Sequence, residues 1–209
     1  MILSRMVDQR WLARIVVPSI GLFVLLGLSG CGVNEIPEKD EAAIAAWSQV
    51  LNQYKRRADL VPNLVATVKG YAQQERETLT AVVEARSKVA QMALPKDLLE
   101  NPQAFKQFQQ NQRALSSALS RLLVVVERYP DLKSNQNFLA LQSQLEGTEN
   151  RISVARRDYI KAVQAYNTEL RTIPGRWWAK FLYSDARPKE NFSTEDPGMA
   201  KAPEVTFGK

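Results

Sequence analysis

From Ile44 to Ile173 the apolar residues fall three and four positions apart, in three runs long enough that helices are the simplest structure to absorb them. The first run is Ile44, Trp47, Leu51, Tyr54, Ala58, Val61, Val65, Val68 and Ala72, continued by Leu79, Val82 and Val89. Glu75 and Arg86 lie on the same stripe, and Pro62 interrupts it. A proline inside a helix removes one backbone hydrogen bond and crowds the carbonyl four residues back. The phase survives across it, which predicts a kinked helix or two abutted ones ending near Met92. The second run, Phe105, Phe108, Gln112, Leu115, Leu119, Leu122, Val126 and Tyr129, follows a start signal at Asn101-Pro102 and ends at Tyr129-Pro130-Asp131. The third extends from Phe138 through Leu141, Leu145, Thr148, Ile152, Ala155, Tyr159, Ala162, Tyr166 and Glu169 to Ile173, and Pro174-Gly175 stops it. Asn135 and Asn137, after the Pro130 turn, are its expected caps.

No segment alternates with period two. The expected fold is therefore all-α: an elongated antiparallel up-and-down bundle over residues 40–183, with three long helices, the first kinked or split at Pro62 and so effectively four. Tyr159 and Tyr166 are expected in the core. Residues 176–183, RWWAKFLY, read as a short piece packed on the bundle end, or as an interfacial contact with Trp and Tyr at headgroup level. Residues 184–209, with Pro188, Pro197 and Pro203 and few apolar groups, are expected to form a disordered tail.

The N-terminus has a different character. Arg5, Arg10 and Arg14 precede the uncharged stretch 15–28, IVVPSIGLFVLLGL. A positive segment, a short apolar core and small residues read as a secretory signal. An uncleaved spanning anchor is the alternative, although a span needs about 20 apolar residues. Leu28, Ser29 and Gly30 before Cys31, the sole cysteine, resemble a bacterial lipobox. That resemblance implies cleavage before Cys31 and acyl chains on it. With Gly32 in the next position it implies the outer membrane over the inner one, in a host with two, and in either case a place outside the cytoplasm. Residues 1–30 are then a signal peptide and 31–39 a tether.

Absences narrow the chemistry. There is no histidine, the commonest general base and metal ligand. One cysteine allows neither an intrachain disulfide nor a thiolate cage. We expect no cofactor and no metal. The net charge of +6 is mild, and Lys and Arg alternate with acids along the helices, which is no footprint for nucleic acid.

Three segments resemble the LemA family: AWSQVLNQYKRRADLVPNLVATVKGYA from Ala46 to Ala72, YPDLKSNQNFLALQSQLEGTENRISVARRDY from Tyr129 to Tyr159, and AVQAYNTELRTIP from Ala162 to Pro174. The resemblance implies a helical bundle outside the cytoplasmic membrane behind an N-terminal hydrophobic segment. It implies no established activity, cofactor or catalytic residue.

The polar residues offer a candidate interaction surface: Arg56, Arg57, Asp131, Glu146, Glu149 and Arg151. Glu146 and Glu149, three apart, share a helix face, as paired acids or cation ligands would. The plainer reading pairs them with Arg56, Arg57 or Arg156 on neighbouring helices. Arg56 and Arg57 read as solvated, or as a docking patch for an acidic partner. Glu75, Arg86 and Gln112 on apolar stripes are candidates for buried polar groups that set register. Three functions compete: an anchored, non-enzymatic interaction or scaffold protein of the envelope whose partner the sequence does not name, a lipid-surface protein, and a carboxylate hydrolase. They rank in that order.

Overall fold

The computed structural model describes residues 32–192. Residues 1–30, read above as a signal peptide, with the lipobox-like Leu28, Ser29 and Gly30, and Cys31 lie outside the described residues, as does the chain from 193 onward. The described part is a helical bundle with no strand among the described residues. Its elements are α1 (Glu35–Tyr71), α2 (Arg76–Ala90), α3 (Pro102–Val126), α4 (Pro130–Lys133), α5 (Gln136–Glu169) and α6 (Gly175–Phe181).

The helix starts follow local chemistry. The Asn101 side chain accepts from the amides of Gln103 and Ala104 ahead of Pro102, and Asn135 accepts from the Phe138 amide. Asn137 lies inside α5 and caps nothing. α1 begins at Glu35, with Glu35 and Glu38 in its first turn, where carboxylates complement the helix dipole. The expected tether over 31–39 is thus mostly helix.

Of the two readings at Pro62, the split is not observed: α1 runs through the proline as one helix of 37 residues, and the split falls instead at Ala72–Glu75. The missing Pro62 amide leaves the Ala58 carbonyl without its helical donor. Arg86 of α2 supplies one: its Nε donates to the Ala58 oxygen at 3.0 Å. A charge-assisted bond from a neighbouring helix therefore replaces the lost one, which explains the arginine on an apolar stripe. Replacing Arg86 with methionine should destabilise the fold by about 1–3 kcal/mol. In a Pro62→Ala background, where the amide at position 62 again donates to the Ala58 carbonyl, the same replacement should cost distinctly less. Urea unfolding of the four proteins in that cycle checks it, and strict additivity would refute the coupling.

The topology is up-down-up-down. Lys39–Glu169, Arg57–Glu149 and Tyr71–Asn135 pair α1 with α5 in antiparallel register over about 48 Å. α2 and α3 form a shorter hairpin beside them, tied at one end by Glu75, whose carboxylate accepts from Arg128 and the Tyr129 hydroxyl. Where α2 stops, its place along α1 is taken by the connection 91–101, which buries Leu98, and by the C-terminal segment 184–192.

That segment corrects the expectation of a tail from residue 184. Phe192 is 7% exposed and Lys189 6%. The Lys189 amide donates to the Asn167 side-chain oxygen and its carbonyl accepts from the Asn167 amide group, both at 2.8 Å. Lys189 Nζ meets Asp40 at 2.7 Å, and the Tyr159 hydroxyl donates to the Glu190 carbonyl at 2.7 Å. The sequence reads as tail because its one large apolar anchor is isolated among polar residues.

Buried side chains form two clusters. One is mainly aliphatic, around Val61, Leu64, Val68, Val82, Leu119, Leu122 and Phe138. The other is aromatic, with Trp47, Tyr54, Phe105, Phe108, Tyr159 and Phe192. Ring centroids there lie 5.1–6.4 Å apart, mostly tilted or edge-on, the arrangement aromatic quadrupoles favour. Tyr159 and Tyr166 are core residues, as expected.

Burial raises both hydroxyl pKa values, that of Tyr166 to about 12 with help from the Asp40 charge. The neutral phenols are favoured in the folded state. Their contribution is complete below pH 10, the value for a free tyrosine, and is lost as pH climbs through 12. Stability to urea should therefore fall between about pH 10 and 12, and less steeply in Tyr166→Phe. An identical slope in that variant would refute the assignment.

Candidate functional site: a buried arginine beneath a cationic cleft

Between the two clusters lies a layer built on one charged side chain. Arg57 is 1% exposed, among the largest fully buried side chains described. Its Nη1 donates to Ser116 Oγ at 2.6 Å and Glu149 Oε1 at 2.9 Å, and its Nη2 donates to Gln112 Oε1 at 2.7 Å and the Gln112 carbonyl at 3.2 Å. The guanidinium also lies 5.0 Å from the Tyr54 ring centroid. One residue thus joins α1, α3 and α5. The planar fork suits the task, because it can present several donors in fixed directions where an ammonium cannot.

A cleft of about 340 Å³ opens above this layer, lined by Tyr54, Arg57, Gln109, Gln112, Arg113, Ser116, Glu149, Ile152, Ser153, Arg156 and Phe192. Its charge is lopsided: among the described residues three arginines face one carboxylate, and Glu149 is already engaged by Arg57. Among the described residues Arg113 and Arg156 have no carboxylate within ion-pair distance. Arg156 lies over the Phe192 ring, 4.4 Å from its centroid, which holds the guanidinium plane at the cleft wall. Burial raises the Tyr54 hydroxyl pKa, opposed by Arg156 and Arg57, so this wall stays a neutral phenol at physiological pH.

Of the six predicted surface residues, only Arg57 and Glu149 come together. Arg57 is core and not surface, whereas Arg56, its neighbour, is exposed. Glu146 is exposed and accepts from Gln142 at 3.0 Å, so the two glutamates do not form a cation site; no group of three potential metal ligands exists among the described residues. Arg151 is exposed on α5, and Asp131 is exposed on α4 at the far end of the bundle. Gln112 is buried at 5% and belongs to the Arg57 layer, so its polar side chain on an apolar stripe is a register device. Sequence reasoning missed Arg113, Ser116 and the Lys189–Phe192 segment. The first two sit on α3, each one position past a member of its apolar stripe, a placement that carries no signal of its own.

Comparison with known proteins places the chain in a family. A model of the LemA family matches residues 46–207. Protein LemA of Metamycoplasma hominis is 25% identical over 140 residues, covering 67% of this chain and 60% of that protein. Magnetosome proteins MamQ 1 and MamQ 2 of Paramagnetospirillum magneticum are each 36% identical over 63 residues, 30% of this chain and 23% of theirs. The chain therefore spans about a quarter of the MamQ proteins and three fifths of the LemA protein. The match starts inside α1, runs through the later helices and passes Phe192, so the C-terminal segment lies within the matched region. On that span, the chain belongs to the LemA family.

Proposed function

We propose that this protein is a lipid-anchored, non-catalytic interaction module of the cell envelope, and that the Arg57 cleft holds an acidic segment of a protein partner. The observation that carries this is the cationic imbalance of the cleft. Arg113 and Arg156 flank an opening where, among the described residues, the one carboxylate is committed to Arg57. Arg156, held over the Phe192 ring at the wall, binds a carboxylate with little ordering cost, and the exposed Arg113 adds a second positive charge beside it. The anchor is the lipid on Cys31, outside the cytoplasm and on the outer membrane in a host with two. Intact mass of the protein from its native membrane tests that part: acylated protein beginning at Cys31 is expected, and retained residues 1–30 would replace the lipid with a span.

The cleft has its own test. The full chain in detergent is titrated with a fluorescent glutamate-rich peptide and with a neutral control. Binding of the acidic peptide should weaken with salt. Arg113→Glu with Arg156→Glu should abolish it while helicity stays unchanged. Equal binding by that variant would remove the cleft from the function.

A further inference from the structure

At the opposite end of α1 from the Tyr71 turn, the exposed residues change character. Trp177 is 52% exposed, Leu182 58%, Ile173 65% and Phe181 73%. These four apolar side chains cluster on and beside one short helix. Trp177 and Phe181, four apart, share a face of α6, and Arg176 and Lys180 form the adjacent stripe. Trp178 is turned partly inward. A Cβ placed on Gly32 would lie 3.5 Å from Pro174 and 3.9 Å from the Trp178 indole nitrogen, so the first described residue rests against the start of α6. α6 itself is pressed onto the end of α5: a Cβ on Gly175 would come 2.2 Å from the Glu169 carbonyl oxygen. Glycine is needed there for close approach, and it fixes how α6 faces.

Gly32 directly follows Cys31 and the apolar stretch 15–28. The patch is therefore at the place where the chain leaves the bundle toward its hydrophobic N-terminal segment. Aromatic and aliphatic residues beside a basic stripe match the interfacial zone of a bilayer, where rings sit at headgroup level and cations meet anionic lipid. We infer that α6 docks on the bilayer surface that holds the N-terminal segment, giving the protein a second, non-covalent membrane contact. This rests on the membrane attachment proposed above, by lipid or by span, and is independent of the cleft. Acyl chains or a span hold the chain at one point, and a second contact would restrict how the bundle tilts about it.

The test uses the full chain in vesicles of phosphatidylcholine and phosphatidylglycerol that contain a photoactivatable lipid. Adducts are mapped by peptide mass, and Trp177→Glu with Phe181→Glu is the comparison. Both substitutions are on exposed positions, and circular dichroism confirms that the variant folds. Both proteins should float with the vesicles. Adducts should concentrate on the peptide containing residues 173–182 in the unaltered chain, exceed those on residues 127–135 at the far end, and disappear from the variant. Flotation with no excess of adducts on 173–182 would overturn the inference alone, as would cross-links from this peptide to a second copy in place of lipid. Failure to float would overturn the membrane attachment and the inference with it.

Discussion

Replacing Arg57 with methionine should lower stability by about 3 kcal/mol, which for a chain of this size shifts the melting temperature by roughly 10 °C. The Glu149 carboxylate is 42% exposed, so its ion pair supplies only a small part of this. The larger cost is on α3, where the buried Gln112 amide and the Ser116 hydroxyl lose the donor that satisfies them. Arg57→Lys should recover little, because one ammonium cannot reach Ser116, Glu149 and Gln112 together. Adding Gln112→Leu to the methionine variant should recover a measurable fraction, since an apolar pair leaves less unpaired. Thermal unfolding followed by circular dichroism reads all three. A methionine variant that melts with the parent would show that the layer stabilises nothing.

The second large effect is expected at Phe192. Truncation to alanine removes a ring that contacts Trp47, Phe105 and Tyr159 and underlies Arg156, and should destabilise by about 3–5 kcal/mol. The aromatic cluster then opens along the side that α2 does not cover. Water should reach Trp47, which is 6% exposed, so its fluorescence should shift to longer wavelength before the helices unfold. The same change loosens Arg156 at the cleft wall, and acidic-peptide binding should fall with it. Urea unfolding with the two signals recorded together checks this; a variant with unchanged stability and emission would mean that the segment merely lies on the surface.

The helical class, the approximate helix spans and the caps at Asn101 and Asn135 were legible because they follow from local spacing and local hydrogen bonding. The choice between one helix and a split at Pro62 stayed open because the donor that repairs its effect, Arg86, is 24 positions away and belongs to another helix. Arg57 was legible in principle. Ala43, Trp47, Val50, Tyr54, Arg57, Val61, Leu64 and Val68 keep an unbroken three-four spacing, and all are buried. The neighbouring set through Ile44, Leu51 and Val65 shares every second member and is wholly apolar at those positions, so it draws the eye from the true seam. Ile44 is in fact 40% exposed. Lys189 and Phe192 had no periodicity to betray them, since they bind as an extended segment whose packing contacts come from distant parts of the chain.

The uninterrupted length of α1 has a consequence for how the two ends of the molecule sense charge. Arg57 stands about 33 Å along the helix from Glu35. In physiological salt an electrostatic field decays over about 8 Å, so some four screening lengths separate Arg57 from that end, and more than two separate Arg156, about 20 Å along α5 from Glu169 where α6 packs. Anionic headgroups at that end compete only weakly for Arg113 and Arg156, and a ligand in the cleft barely alters the attraction between Arg176, Lys180 and a lipid surface. The rod is an insulator, and ionic strength should act on each end as though the other were absent.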